Sequence, residues 1–166
     1  MNYHNIKHDD MVNGDGLRVT LFVSGCSNNC EGCQNPQTWD PDSGIVFDTS
    51  AMAEILDYLG RDYISGLTIS GGDPFFKSNI HTVTEICDLC KLIAPCKTIW
   101  LYTGYNWGQI KDLEVLRYID VLVEGPYIEA ERDVNMHWAG SRNQRVIDVQ
   151  RSLSEHEVIL YKGESQ

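Results

Sequence analysis

Strands that end in glycine turns and give way to helices recur along this 166-residue chain, and that alternation admits few folds. The run Leu17-Arg18-Val19-Thr20-Leu21-Phe22-Val23 predicts a strand that passes into a polar, cysteine-bearing loop over residues 24–39. Asp48, Thr49 or Ser50 can cap a helix whose apolar face is Met52, Ile55, Leu56 and Leu59, spaced i, i+3, i+4, i+7. Gly66-Leu67-Thr68-Ile69-Ser70 predicts a short buried strand, stopped by Gly71-Gly72-Asp73-Pro74 and followed by a helix over residues 78–94. The pattern repeats with a strand over residues 97–102, the turn Thr103-Gly104-Tyr105, and a helix over residues 106–119 capped by Asn106. A strand over residues 120–123 then ends in Glu124-Gly125-Pro126. Residues 127–140 are charged and irregular, whereas residues 144–149 and 157–161 are strand-like and suit a hairpin or an addition to the sheet edge.

Repeated strand–loop–helix units imply an α/β fold with a mostly parallel sheet, whose ligands bind at the carboxyl ends of the strands. The cysteine loop and the turns at Gly71, Thr103 and Glu124 all fall on that edge. A complete eight-stranded barrel takes about 250 residues, so this length predicts an open, partial (β/α) barrel. No internal repeat or linker divides the chain, and residues 1–166 are expected to form one domain. With 13 Lys and Arg against 24 Asp and Glu, the net charge of −11 repels phosphate backbones and argues against nucleic acid as a ligand. No apolar run reaches the roughly 18 residues of a membrane span. The N-terminal segment is polar and lacks the apolar middle of a signal peptide, so no membrane association and a cytoplasmic location are expected.

The six cysteines fall into two trios, Cys26, Cys30, Cys33 and Cys87, Cys90, Cys96, which in a chain able to build its own core argues against a disulfide framework. The first trio, spaced C-x3-C-x2-C, can wrap one metal centre within a single loop. Structural zinc closes with four ligands, whereas three thiolates on a four-iron cubane leave one iron open for a substrate. A zinc site closed by His4 or His8 is the plainer alternative. A nucleophilic cysteine would need a base and not two neighbouring thiols. In the second trio, Cys87 and Cys90 share a helical stripe with Ile80, Val83 and Ile93, which predicts core packing and not a second cluster.

The C-x3-C-x2-C loop after one strand and Gly71-Gly72-Asp73-Pro74 after the next resemble the radical S-adenosylmethionine superfamily. More narrowly, four segments resemble the activating proteins of anaerobic ribonucleoside-triphosphate reductases: Val12-Asn13-Gly14-Asp15-Gly16-Leu17-Arg18, Cys30-Glu31-Gly32-Cys33, Ser70-Gly71-Gly72-Asp73-Pro74 and Gly140-Ser141-Arg142-Asn143-Gln144-Arg145. The similarity spans about residues 3–147, with departures. Gly32 stands where many superfamily members carry an adenine-contacting aromatic residue, Asn28 where the activases usually have His, Gln34 where they have Tyr, and Asp15 where they have Pro.

The resemblance implies a partial barrel of the radical S-adenosylmethionine type holding one 4Fe-4S cluster on Cys26, Cys30 and Cys33. It implies reductive cleavage of S-adenosylmethionine to a 5′-deoxyadenosyl radical, which takes a hydrogen from a glycine of the reductase's glycyl-radical subunit. An electron donor such as flavodoxin is the second implied partner. Gly71 and Gly72 would approach the methionine part, Asp73 would accept from its ammonium, and Asn28 and Gly32 would complete the cofactor contacts. No catalytic side chain beyond the cluster ligands is implied.

Plainer readings stand beside these. Gly-Gly-Asp-Pro alone is an ordinary turn, and so is the segment with Asn13, Gly14 and Gly16, which could also line the approach to a substrate glycine. Ser141, Arg142, Asn143, Gln144 and Arg145 suit a ligand edge or a solvated loop, and Trp39, Trp100, Trp107 and Trp138 mostly suit packing. The nearest rivals in function are a formate-lyase-type activase, a small deazaguanine-forming enzyme, and a non-catalytic zinc or iron–sulfur interaction module.

Overall fold

A computed structural model describes residues 1–163. In chain order the elements are β1 (Asn2–Asp10), β2 (Leu17–Val23), β3 (Ile45–Val46), α1 (Thr49–Leu59), β4 (Ile64–Gly71), α2 (Ile80–Ile93) and β5 (Thr98–Tyr102). After these come α3 (Trp107–Ile110), β6 (Val121–Glu124), β7 (Arg145–Asp148) and α4 (Val149–Glu155). The strands form one sheet in the order β3-β1-β2-β4-β5-β6-β7. The central strands β2, β4, β5 and β6 run parallel, while β1, β3 and β7 pair antiparallel at the two sides.

The two faces of the sheet differ in chemistry. Val19 on β2, Leu67 on β4 and Ile99 on β5 lie in register on one face, and with Leu21, Ile69 and Leu101 they form the floor of the apolar core. Helix α1 covers that floor with Ala51, Ile55 and Leu59, and α2 with Val83, Ile86, Cys87 and Cys90. Each Ile or Leu buried there contributes roughly 1.5–3 kcal/mol. Asp48 caps α1 as expected, accepting from Ser50 N and Ala51 N at 2.9 and 3.0 Å. The opposite face carries the register row Thr20, Thr68, Trp100 and Val121 and, two residues earlier on β2, the fully buried Arg18. Gly66 lies opposite Arg18 because a Cβ there would stand 2.8 Å from the guanidinium and collide with the Thr98 carbonyl.

Three elements differ from the sequence expectation. The polar N-terminus is a strand: register shifts in its pairing with β2 place the buried residues Tyr3, Ile6 and Asp10 three and four apart, which conceals the period of two. The helix expected over residues 106–119 is instead α3 followed by an extended Leu113 and a 3-10 turn at Glu114–Tyr118. One straight helix would set Ile110 on the face opposite Val115, Leu116 and Ile119, yet all four are buried. At the C-terminus β7 adds to the sheet edge, but α4 follows it, and residues 157–161 touch β7 through a single bridge, Ile147 to Leu160.

Cys87 and Cys90 are buried in the core, as their stripe suggests, whereas Cys96 is exposed and apart from them. Burial pushes the Cys90 thiol up to about 12 and that of Cys87 higher still. In the native protein a thiol reagent is therefore expected to label Cys96 and to spare Cys87 and Cys90 until the chain unfolds. Cys87→Ala or Cys90→Ala is expected to lower stability by about 1–3 kcal/mol in denaturant titration. Rapid native labelling of either residue would show that α2 does not seal this part of the core.

Candidate metal and cofactor site

The carboxyl ends of β2, β4, β5 and β6 open into a cavity of about 860 Å³. Cys26, Cys30 and Cys33 line it together, each half-buried and free. Their loop is tied back to the following segment by Gly25 N to Thr38 O at 2.7 Å and Cys26 N to Trp39 O at 3.0 Å. Backbone N–H groups reach two of the sulfurs, Asn28 to Cys26 Sγ at 3.5 Å and Asn35 to Cys33 Sγ at 3.4 Å. Burial raises the Cys26 thiol above its ordinary value, and the nearby Asp73 adds to the rise.

The turn after β4 is packed against the turn after β2. A Cβ at Gly71, where φ is +107°, would stand 2.6 Å from the Val23 backbone, and one at Gly72 would stand 2.5 Å from Gly25 O. Gly72 N donates to Val23 O at 2.8 Å and Asp73 N to Gly25 O at 2.7 Å, which seats the β4 turn on the root of the cysteine loop. Both glycines also line the cavity, so the absence of side chains serves the packing and the opening alike.

Asp73 is 1 % exposed, and its oxygens are already engaged. Oδ1 accepts from Phe75 N at 2.9 Å and Thr103 Oγ1 at 2.8 Å, while Oδ2 accepts from Gly104 N at 2.9 Å and Asn28 Nδ2 at 3.4 Å. Burial holds this carboxyl above the usual range although the four donors pull it down. The free acceptor suggested by the sequence is thus a carboxylate that fastens three segments at the cavity wall. Asn28 fills the space a Gly104 side chain would take, which brings the cysteine loop against the end of β5.

Gly32 does not reach the cavity. It has φ +69° and faces the Glu129 carboxylate, which a Cβ would strike. Of the segment Ser141 to Arg145, only Gln144 lines the cavity. Gln144 Oε1 accepts from Gly140 N and Ser141 N, its Nε2 donates to Gly125 O, and Asn143 Nδ2 donates to Pro126 O. Arg145 meets the buried Glu124 at 2.5 Å. The segment is therefore chiefly a clasp on the end of β6. Thr103 and Gly104 lie on a turn expected at the ligand edge, but their bonds to Asp73 and the part played by Asn79 are seen only in the structure. Asn79 is buried and ties Ser24 O to Asp73 O at 2.7 and 3.0 Å, and only the polar type of these residues beside strand ends signals them.

The histidines weighed as a fourth zinc ligand lie elsewhere. His4 bonds Ser43 Oγ, and His8 bonds Glu54 and stacks on Tyr58. Among the described residues, no three His, Cys, Asp or Glu side chains are gathered to share one ion. A cluster takes one thiolate per iron, so its ligands stand farther apart than those of a single zinc. Three free thiols on one cavity wall, two with N–H donors aimed at sulfur, fit such a cluster.

Residues 12–147 match the family model of a 4Fe-4S single cluster domain. The anaerobic ribonucleoside-triphosphate reductase-activating protein of Enterobacteria phage T4 is 43% identical over 146 residues, covering 88% of this chain and 93% of that protein. Its counterpart in Vibrio cholerae is 42% identical over 148 residues, with 87% and 96% covered. That of Escherichia coli K12 is 37% identical over 150 residues, with 88% and 97% covered. No solved structure matches the chain. The family model spans the cysteine loop, the Gly71–Asp73 turn and the parallel strands that bring them together. The chain belongs to the family of anaerobic ribonucleoside-triphosphate reductase-activating proteins.

Proposed function

We propose that this protein activates an anaerobic ribonucleoside-triphosphate reductase, with a 4Fe-4S cluster on Cys26, Cys30 and Cys33 and S-adenosylmethionine as cofactors, leaving a glycyl radical on the reductase. One observation carries the reading: of six cysteines, the three with cluster spacing open onto the same cavity as Gly71, Gly72 and Asp73. The parallel centre of the sheet supports the open partial barrel of the radical S-adenosylmethionine type, formed by one domain over residues 1–166.

When bound, a cluster there would supply an electron and an iron open to S-adenosylmethionine. The protein's part is to bind and orient. Cys26, Cys30 and Cys33 would hold the irons, and the N–H donors from Asn28 and Asn35 would temper the charge on two sulfurs. Gly71 and Gly72 leave backbone beside the cavity for the methionine part, and Asp73 keeps that backbone in place through Thr103, Gly104 and Asn28. The reductase is the protein partner, and a reductant such as flavodoxin is the donor. Among the described residues no helix is long and apolar enough to cross a membrane, which agrees with a cytoplasmic setting.

The test is to mix reduced protein, S-adenosylmethionine and reductase without oxygen and to record the paramagnetic resonance spectrum. A glycine-centred doublet that vanishes when the reductase glycine is replaced by alanine is the expected result. Cofactor cleavage with no radical on the reductase would move the assignment to a small-molecule substrate. Cys26→Ala, Cys30→Ala or Cys33→Ala is expected to lose most bound iron and all cofactor cleavage, whereas Cys87→Ala keeps both. Asp73→Ala strands several donors, so it is expected to cost about 2–3 kcal/mol of stability and to weaken S-adenosylmethionine binding while iron is retained. An Asp73→Ala protein that melts with the parent would show that the carboxylate does not hold the turn.

A further inference from the structure

The segment after α4 lies beyond residues 12–147 matched by the family model, yet it reaches the cavity. The chain turns at His156, where φ is +57°, and runs back along β7. Asp148 N donates to Ile159 O, Ile159 N to Ser152 Oγ and Tyr161 N to Val146 O, each at 2.9 Å. Lys162 and Gly163 line the large cavity, and Tyr161 lines a second cavity of about 580 Å³ beside it, so the segment is a partition between the two.

Tyr161 makes contacts with two loops that line the large cavity. Its hydroxyl donates to Asp15 Oδ2 at 2.7 Å, across 146 residues of sequence. Asp15 lies between Gly14 at φ +130° and Gly16 at φ +71°, a stretch of backbone that its own residues do little to stiffen. The Tyr161 ring meets Trp138 edge-on, with centroids 5.6 Å apart, and Trp100 at 5.2 Å. Trp138, on the other loop, has φ +64°, a conformation that persists in a non-glycine residue only when its surroundings impose it. Trp100 completes the trio, 5.3 Å from Trp138, and is fixed in β5.

We propose that Tyr161 is a positioning residue of this site: by holding Asp15 through its hydroxyl and Trp138 through its ring, it sets the spacing of the two loops that admit the protein substrate. The proposal rests on the activase reading for its substrate, and on the geometry alone for the latch. Residues 13–16 are otherwise anchored from the sheet, by Arg18 to Asp15 O at 3.0 Å, Thr68 Oγ1 to Asn13 O at 2.7 Å and Asn13 Nδ2 to Asp10 Oδ2 at 2.5 Å. Those bonds tie residues 13 and 15 to the strands, and the Tyr161 bond adds the tie to the facing loop. A latch of this kind lowers the ordering cost of binding without touching the reacting atoms.

The experiment compares the full-length protein with Tyr161→Phe, Asp15→Ala, the double variant and Asp15→Asn, all isolated without oxygen. Tyr161→Phe keeps the ring packing and removes only the hydroxyl. Amide hydrogen exchange across residues 12–17 is expected to quicken about five- to tenfold in Tyr161→Phe and in Asp15→Ala, as loss of one ordinary intramolecular hydrogen bond predicts. Exchange in α2 is expected to stay at the parent rate, which separates the latch from general loss of structure. The double variant should be no worse than the larger single one, and Asp15→Asn, which keeps an acceptor, should restore most of the protection. In glycyl-radical formation the apparent KM for the reductase should rise more than kcat falls. Unchanged exchange over residues 12–17 in Tyr161→Phe, or additive effects of the two substitutions, would overturn the latch. If the parent itself yields no glycyl radical the activase reading fails, and the exchange data still decide the latch.

Discussion

The ligand edge depends on the carboxylate of Asp73. Leaving an ionised carboxylate nearly out of reach of water costs several kcal/mol unless donors surround it. Here the donors come from three places: Phe75 in its own turn, Thr103 and Gly104 after β5, and Asn28 in the cysteine loop. Because the same atoms end the strands and shape the loops, the order of each loop is coupled to the others. The glycines at 71 and 72 are the precondition, since any side chain there would hold the β4 turn away from Val23 and Gly25 and leave Asp73 outside its ring of donors.

A second buried charge organises the sheet face that carries Thr20, Thr68 and Trp100. Arg18 is fully buried and donates to Thr68 Oγ1, Leu67 O, Asp15 O and both the hydroxyl and the carbonyl of Thr98, and among the described residues no carboxylate is bonded to it. Burial lowers it to about 10, so it stays charged at neutral pH, lying 5.4 Å from the face of Trp100. An apolar side chain there would leave these acceptors without their donor, at a cost in stability. The guanidinium does what an apolar chain cannot: it joins β2, β4 and β5 and holds the loop at Asp15, so the cavity wall is tied to the centre of the sheet.

The strands and helices legible in the sequence were those with one regular period. Val19, Leu21 and Val23 alternate without interruption, and Ile55 and Leu59 keep helical spacing, so β2 and α1 stand where expected. β1 was hidden because its register shifts break the alternation, and α4 because its start is set by Asp148 accepting from Arg151 N at the end of a strand. The sequence pointed to the three cysteines through their spacing alone, and the structure places them on one wall. It did not reveal that Asp73 faces inward, because a buried and an open carboxylate look alike until the donors from residues 28, 103 and 104 are brought together. Nor did it reveal that Gly32, between Cys30 and Cys33, turns toward Glu129 through its positive φ.

Radical chemistry needs a site from which water is excluded, yet the cavity rim faces solvent, where Met11 and Val12 are 76% and 71% exposed. These apolar side chains sit on a loop whose start is fixed by Asp10, which accepts from Val12 N at 3.0 Å and Asn13 Nδ2 at 2.5 Å. An exposed apolar rim of this kind is suited to meeting a partner that is already folded. On the activase reading, the segment of the reductase that carries its glycine completes the enclosure, and water leaves the cavity as the two proteins meet. The net charge of −11 sets the terms of that encounter. It favours a reductase surface of opposite sign, draws the partners together over about 10 Å at 0.1 M salt, and leaves the close fit to the rim.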